Sequence, residues 1–186
     1  MSGIIRMYKR NGEGVLHFRE AWFDDADQHF VINYGVVGHQ STTDAAAVEE
    51  GTSAEGLLAA FEAQCEEDGY TVIPESEQFR VVAQFALKSK DGTERDRHLE
   101  QKAKEVITAE LAWRGLGVVE GSGMGNSRLN IFCLCPDVNK AVNAIKVCAR
   151  AEDLDFTKLT IAAAPASDPD AFKVKHSPRQ GGGFTL

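Results

Sequence analysis

Between residues 4 and 37 apolar and polar positions fall into three strand-like stretches, the last of them loosely alternating. Ile4 to Arg10 is a short mixed stretch, and Val15 to Phe23 (VLHFREAWF) is rich in aromatic and β-favouring side chains. Phe30 to Val37 (FVINYGVV) places Phe30, Ile32 and Tyr34 on one side and Val31 and Asn33 on the other. Alternation of this kind describes half-buried strands. The polar link DDADQ reads as a turn, so the three stretches predict an antiparallel meander, with a weaker fourth strand through Gln40–Val48. The period then changes. Leu57, Leu58, Phe61 and Cys65 fall at helical spacing, with Ser53 placed to cap the helix and Glu55 in its first turn. Gly69 is the expected C′ residue. Tyr70–Ile73 returns to the sheet, and Pro74 with the polar ESEQ marks a linker over 75–78.

The second half is patterned more cleanly. Phe79–Lys88 (FRVVAQFALK) reads as a strand closed by the turn Ser89–Gly92. Thr93 and Asp96 fit the S/T-x-x-D/E capping signature. They predict a helix to about Arg114, with Leu99, Ala103, Val106, Ile107 and Leu111 on one face and Gly115 and Gly117 at its end. Val118–Glu120 begins a second strand and Arg128–Cys135 (RLNIFCLC) forms a third. Pro136-Asp137 stops that strand and caps a second helix striped by Val138, Ala141, Val142, Ile145 and Cys148 or Ala149. The last strand is Lys158–Ala162. The order β-α-β-β-α-β is the split βαβ arrangement of ferredoxin-like folds. It predicts a four-stranded antiparallel sheet over residues 79–165, with both helices on one face and the other face open for binding. Residues 166–186 are expected to form a loosely ordered tail. Phe172–Lys175 is a candidate edge strand within it, and Phe184-Thr-Leu186 is either a docking end or inert.

Between the second and third strands lies EGSGMGN, with Gly121, Gly123 and Gly125 at alternate positions. A Rossmann loop is G-x-G-x-x-G opening into a helix, and a P-loop ends in Lys-Ser/Thr. Here the spacing is G-x-G-x-G and the next element is a strand, so no helix N-terminus follows to hold an anion. The stretch reads as the tip of a hairpin whose glycines supply positive φ. A ligand loop is the alternative, with Arg128 as an adjacent anion contact.

Charge adds a division that periodicity does not show. The 186-residue chain carries −8 overall. Residues 1–78 hold four Lys/Arg against fifteen Asp/Glu, a net −11, and residues 79–186 hold sixteen against thirteen, a net +3. Such asymmetry points to two units with different surfaces. An acidic half also disfavours nucleic acid, whose binding draws on Lys/Arg neutralising phosphates. No apolar run reaches the roughly 18 residues of a membrane helix and no secretory leader is read at the start, so a cytoplasmic chain with no membrane role is expected. Cys65, Cys133, Cys135 and Cys148 are then thiols rather than bridges. Cys133 and Cys135 fall on one strand face as small core hydrophobes. The histidines are scattered and no Cys-x-x-Cys pair exists, which argues against zinc.

The order of elements over about residues 3–74 resembles a WGR domain. The resemblance rests on a strand pair ending in Tyr34-Gly35-Val36-Val37-Gly38, where the family has Trp-Gly-Arg and a short apolar step to Gly. The polar Gln40–Asp44 follows, and then a helix with Ala54, Leu57 and Phe61 that closes on Gly69-Tyr70. It implies a small antiparallel sheet with one packed helix, and Tyr34, Gly35 and Gly38 as candidate binding positions. WGR domains of poly(ADP-ribose) polymerases help bind DNA ends and relay that signal. Here Tyr34 replaces the Trp, and Val36 replaces the Arg and removes its hydrogen-bonding fork. Glu66-Glu67-Asp68 stands where family helices often end in lysines. The resemblance therefore bears on the fold more than on DNA. Tyr34, Trp22 and Phe30 are expected to be core aromatics.

The fold class is thus α+β, a WGR-like sheet with one helix (residues 1–74) followed by a ferredoxin-like domain. No catalytic constellation is read: there is neither Gly-x-Ser-x-Gly nor His-Glu-x-x-His, and no cofactor or metal site is expected. The Asp24, Asp25, Asp27 cluster lacks EF-hand spacing. Arg95, Arg97, Lys102 and Lys104 alternate with acids as on a solvated helix face. The expected function is non-catalytic binding or adaptor work on another protein. Gly121, Gly123, Gly125 and Arg128 join Tyr34, Gly35 and Gly38 as its candidate positions. The alternatives are an acidic inhibitor of a basic toxin or nuclease, and direct DNA binding.

Overall fold

The computed structural model describes residues 3–49, 51–178 and 183–186. The chain is an α+β protein made of two compact units. One comprises Met1–Ile73 with Trp113–Gly115, and the other Pro74–Ala112 with Leu116–Leu186.

In the first unit β1 (Ile5–Arg10), β2 (Leu16–Asp24), β3 (His29–Val36) and β4 (Thr42–Ala47) pair in chain order, all antiparallel. Helix α1 (Ala54–Glu67) begins at Ser53, whose hydroxyl accepts from the Gly56 N–H at 3.2 Å. It ends at Gly69, where φ is +81°. The Gly69 N–H bonds back to the Glu66 carbonyl and the Tyr70 N–H to the Cys65 carbonyl, the two reversed bonds of a glycine-closed helix end. Leu58, Phe61 and Cys65 of α1 pack with Met7 and Ala21 of the sheet, flanked by Ile5, Phe30, Ile32 and Tyr70. The acidic last turn of α1 draws its cations from the strands. Lys9 Nζ donates to the Asp68 carbonyl at 2.6 Å, and Arg19 pairs with the Asp68 carboxylate while lying 4.5 Å over the Tyr70 ring. Such positive charge suits a helix C-terminus.

The opposite sheet face is buried too. Phe18, Tyr8 and Val31 lie there beside Glu20 and Asn33. Arg6 and Glu20 face each other in the β1–β2 register and form an ion pair. Burial pushes the Glu20 carboxyl up, against the pull of Arg6.

In the second unit β5 (Phe79–Ala86) is central. The sheet order is β6 (Val118–Gly125), β7 (Arg128–Cys135), β5, β8 (Leu159–Pro165), β9 (Lys173–His176), with every pairing antiparallel. Helix α2 (Glu94–Trp113) crosses from β5 to β6, and α3 (Val138–Ala151) from β7 to β8. The first four strands thus follow the split βαβ order, and β9 adds a fifth at the edge. Thr93 and Asp96 bond reciprocally at the start of α2, and the Asp137 side chain accepts from the Lys140 N–H at 3.0 Å at the start of α3. The register aligns Val81, Ala83 and Phe85 with Cys133, Ile131 and Leu129 on one side and with Ala163, Ile161 and Leu159 on the other. All of these are buried, as are Ala103, Ile107 and Leu111 of α2 and Ala141, Ile145 and Ala149 of α3. This is the helix-covered face, since right-handed crossovers place both helices on one side.

Three expectations change. Gly121, Gly123 and Gly125 are not a hairpin tip: they lie inside β6, and none has positive φ. The turn is Asn126-Ser127, with φ of +52° and +60°, the pair of positive values that a two-residue hairpin demands. Asn tolerates that region through its short polar side chain, so the glycines are free to extend the strand. Second, Tyr34 is no core aromatic. It is 38% exposed, on the α1 side of β3 but opposite Thr42 and Arg19, and its hydroxyl bonds to Asp44. Trp22 is only half-buried, whereas Phe30 meets Phe61 edge-on at 6.4 Å. Third, the stretch expected to be a loose tail carries β9 and a seated end. Residues 179–182, with Arg179 and two of the three consecutive glycines, lie outside the described residues.

Candidate functional site

The candidate positions divide between the units. In the first, Gly35 and Gly38 flank Val36-Val37. The Gly38 N–H donates to the Arg114 carbonyl at 2.8 Å and the Ser41 N–H to the Trp113 carbonyl at 3.2 Å. A Cβ on Gly35 would stand 3.4 Å from Ser41 Cα. The turn is therefore occupied in holding Trp113–Gly115, and Tyr34, bonded to Asp44 at the surface, does not converge with it on a pocket.

In the second unit the positions do converge. The β6–β7 register sets Gly121 opposite Phe132, Gly123 opposite Asn130 and Gly125 opposite Arg128. Asn130 and Phe132 in turn face Gln84 and Val82 of β5. Side chains alternate across a strand, so this row lies on the face away from the helices, and the glycines leave a bare shelf along its flank. Nothing stands within 4 Å of a Cβ built on Gly121 or Gly125, and only Phe132 is near one on Gly123, at 3.8 Å.

This face is not open: the chain's own end is seated on it. Gln84, 6% exposed, donates from Nε2 to Asn130 Oδ1 at 2.7 Å and to the Thr185 carbonyl at 3.0 Å. Arg128 Nη1 donates to the same carbonyl at 2.5 Å and also bonds the Thr185 hydroxyl. The Phe184 ring meets Phe172 at 5.1 Å. Beyond Thr185, Leu186 forms part of a cleft of about 380 Å³ lined by Arg80, Val82, Glu120, Phe132 and Phe172. Arg80 is held there by Glu75 at 2.8 Å and Glu120 at 3.3 Å. Sequence reasoning found Arg128 but missed Gln84, Phe132 and Phe172. An amide in the middle of an apolar strand (VVAQFA) was the available signal, because a buried side-chain amide needs partners.

Chemically, two donors on rigid strands meet one backbone carbonyl, and apolar surface lies to either side of it. The polar contacts of the site are thus to main chain and to one small hydroxyl. Cys133 also borders the cleft, but burial raises its thiol well above the usual range and pushes that of Cys148 up to about 12, so both are protonated at neutral pH. Among the described residues no group of three or more His, Cys, Asp or Glu is placed to hold a metal ion, and no helix is long and apolar enough to cross a membrane.

Comparison with protein-family models, with curated proteins and with solved structures found no match to this chain.

Proposed function

We propose that this chain is a non-catalytic binding or adaptor protein whose second unit takes an extended polypeptide segment across the sheet face that its helices leave bare. One observation carries the reading: Gln84 and Arg128, from adjacent strands, converge on a single backbone carbonyl. Recognition through main-chain groups, with apolar side chains supplying selectivity, is a recurring mode of peptide binding. We assign the first unit to the WGR type, supported by its four-stranded antiparallel sheet, its single helix and the glycine turn after Tyr34. In this reading it is a scaffold, with Val36 in place of the family's cation. Selection of a phage-displayed random-peptide library on the purified full chain tests the proposal. The expected result is a shared aromatic–x–aliphatic consensus whose binding is lost in Arg128→Gln. Absence of any consensus, or turnover of a substrate abolished by one point mutation, would overturn it.

A second reading has its own support. Glu55, Glu66 and Glu67 are exposed on α1, in a half of net charge −11, as an inhibitor of a basic toxin or nuclease requires. It predicts rapid, salt-sensitive association with a basic protein, and a low-salt pull-down that returns no basic partner would count against it. Direct DNA binding ranks third, and the absence of a low-salt gel shift would reject it.

A further inference from the structure

We infer that Phe184–Leu186 is an internal ligand: it holds the sheet face of the second unit in competition with a partner peptide of the same chemistry, an aromatic residue, a small polar residue and an aliphatic one in extended conformation. The inference rests on the peptide-binding reading and names both its ligand class and its regulation.

Gln84 is almost wholly buried, and Thr185 supplies one of the two acceptors its Nε2 reaches. That burial includes the cover given by the seated tail, and a partner carbonyl in the same place restores the bond that the departing tail breaks. Arg128 donates to the same carbonyl from the neighbouring strand. Both contacts are to backbone or to a small hydroxyl, which any extended peptide carrying Thr or Ser at that position can reproduce.

The flanking contacts set the side chains. Phe184 meets Phe172, so the position before the carbonyl residue takes an aromatic ring. Leu186 lines the cleft yet is 61% exposed, so the tail fills its last subsite poorly. The cleft volume of about 380 Å³ lies within the roughly 300–1,000 Å³ typical of ligand pockets. A partner with a larger apolar group at the Leu186 position gains there what the tail does not.

The seat is also of the kind that can be vacated. It consists of three hydrogen bonds from two side chains to one residue and a ring pair, whereas β9 upstream is fixed by backbone pairing to β8. A tethered competitor lowers the apparent affinity of an outside ligand by the fraction of molecules in which the seat is free.

The test uses the full chain and a fluorescein-labelled peptide Gly-Gly-Gly-Phe-Thr-Leu, read by anisotropy, with circular dichroism as the check that each variant is folded. Phe184→Ala weakens the tail without touching the sheet, and is expected to bind the peptide about tenfold tighter than the wild-type chain. Phe184→Ala combined with Arg128→Gln is expected to lose that binding, and a peptide of scrambled order to show none. Equal affinity of wild type and Phe184→Ala overturns the inference, as does binding that persists without Arg128. A wild-type chain that light scattering shows to be a tail-exchanged dimer overturns it too, since the seat is then filled by a second copy. If library-selected peptides bind the wild-type chain while Phe184→Ala changes nothing, the competitor fails and the peptide-binding reading stands. If neither set binds any form, both fail.

Discussion

At the scale of the residue, glycines of this chain serve opposite purposes. Gly117 has φ of +119°, and a Cβ there would stand 2.0 Å from the Leu134 carbonyl oxygen and 2.9 Å from Cys135 Cα. Neither contact can yield, because both partners are backbone inside β7. Gly117→Ala is expected to cost on the order of 3 kcal/mol and to lower the urea midpoint accordingly. Gly123, in extended backbone with room around it, gives the reverse expectation. Gly123→Val is expected to leave the melting temperature unchanged or slightly raised, since β-branched residues suit strands, and a fall as large as that of Gly117→Ala would contradict the placement in β6. The Arg6–Glu20 pair is a third residue-level test. The two side chains are 12% and 4% exposed, and removing one partner of a buried pair leaves the other charge uncompensated. Arg6→Met should cost about 3 kcal/mol, and Arg6→Met with Glu20→Leu much less, by the same reasoning. If the double variant is as unstable as the sum of the singles, measured by urea unfolding, the pair is not coupled.

At the scale of the element, what could be read was what is local. Ser53, Asp137, and Thr93 with Asp96 announce their helices because a cap bonds within three residues, and Gly69 ends one by its own φ. Strand order followed from the alternation of helical and β periods, as the split βαβ arrangement does generally. The glycine stretch was misread for an equally physical reason. Three glycines carry no side-chain pattern, so they look like a turn, while the real turn used Asn126-Ser127, which the rule of glycine at positive φ overlooks. Tyr34 kept the alternation expected of it, but alternation names a side and not whether a helix reaches that far. Edge strand β9 carries an element-level prediction of its own. Burial, reinforced by the nearby charges of Lys146 and Arg150, holds the imidazole of His176 below its usual range, and the ring stacks on Phe156 at 5.0 Å. The unfolded chain therefore takes up the proton first as pH falls below about 6.5, so stability at this position rises with pH and is lost on the acid side. His176→Phe should flatten the decline in melting temperature between about pH 6.5 and pH 5. An unchanged slope would mean that the histidine does not titrate differently in the folded state.

At the scale of the whole chain, the candidate site was the least legible part, because it joins residues far apart in sequence. Gln84 and Thr185 are separated by 101 positions, and no periodicity connects them. Arg128 could be singled out for its charge and its place after the glycines, but the partner it meets is a backbone carbonyl, which every residue carries. The uneven charge, by contrast, was legible at once and supplies the means to separate the two binding readings. An inhibitor acting through the acidic half, net −11 over residues 1–78, works through exposed charges that salt screens beyond about 10 Å at 0.1 M. The sheet face works through hydrogen bonds to an uncharged carbonyl and through apolar burial, which salt leaves nearly untouched or strengthens. Peptide affinity of Phe184→Ala is therefore expected to change by less than about twofold between about 0.05 M and about 0.5 M sodium chloride. Capture of a basic protein by the acidic half should collapse over the same range. A steep salt dependence of peptide binding, measured with the uncharged-side-chain sequence Gly-Gly-Gly-Phe-Thr-Leu, would place the affinity in long-range charge and remove Gln84 and Arg128 from the centre of recognition.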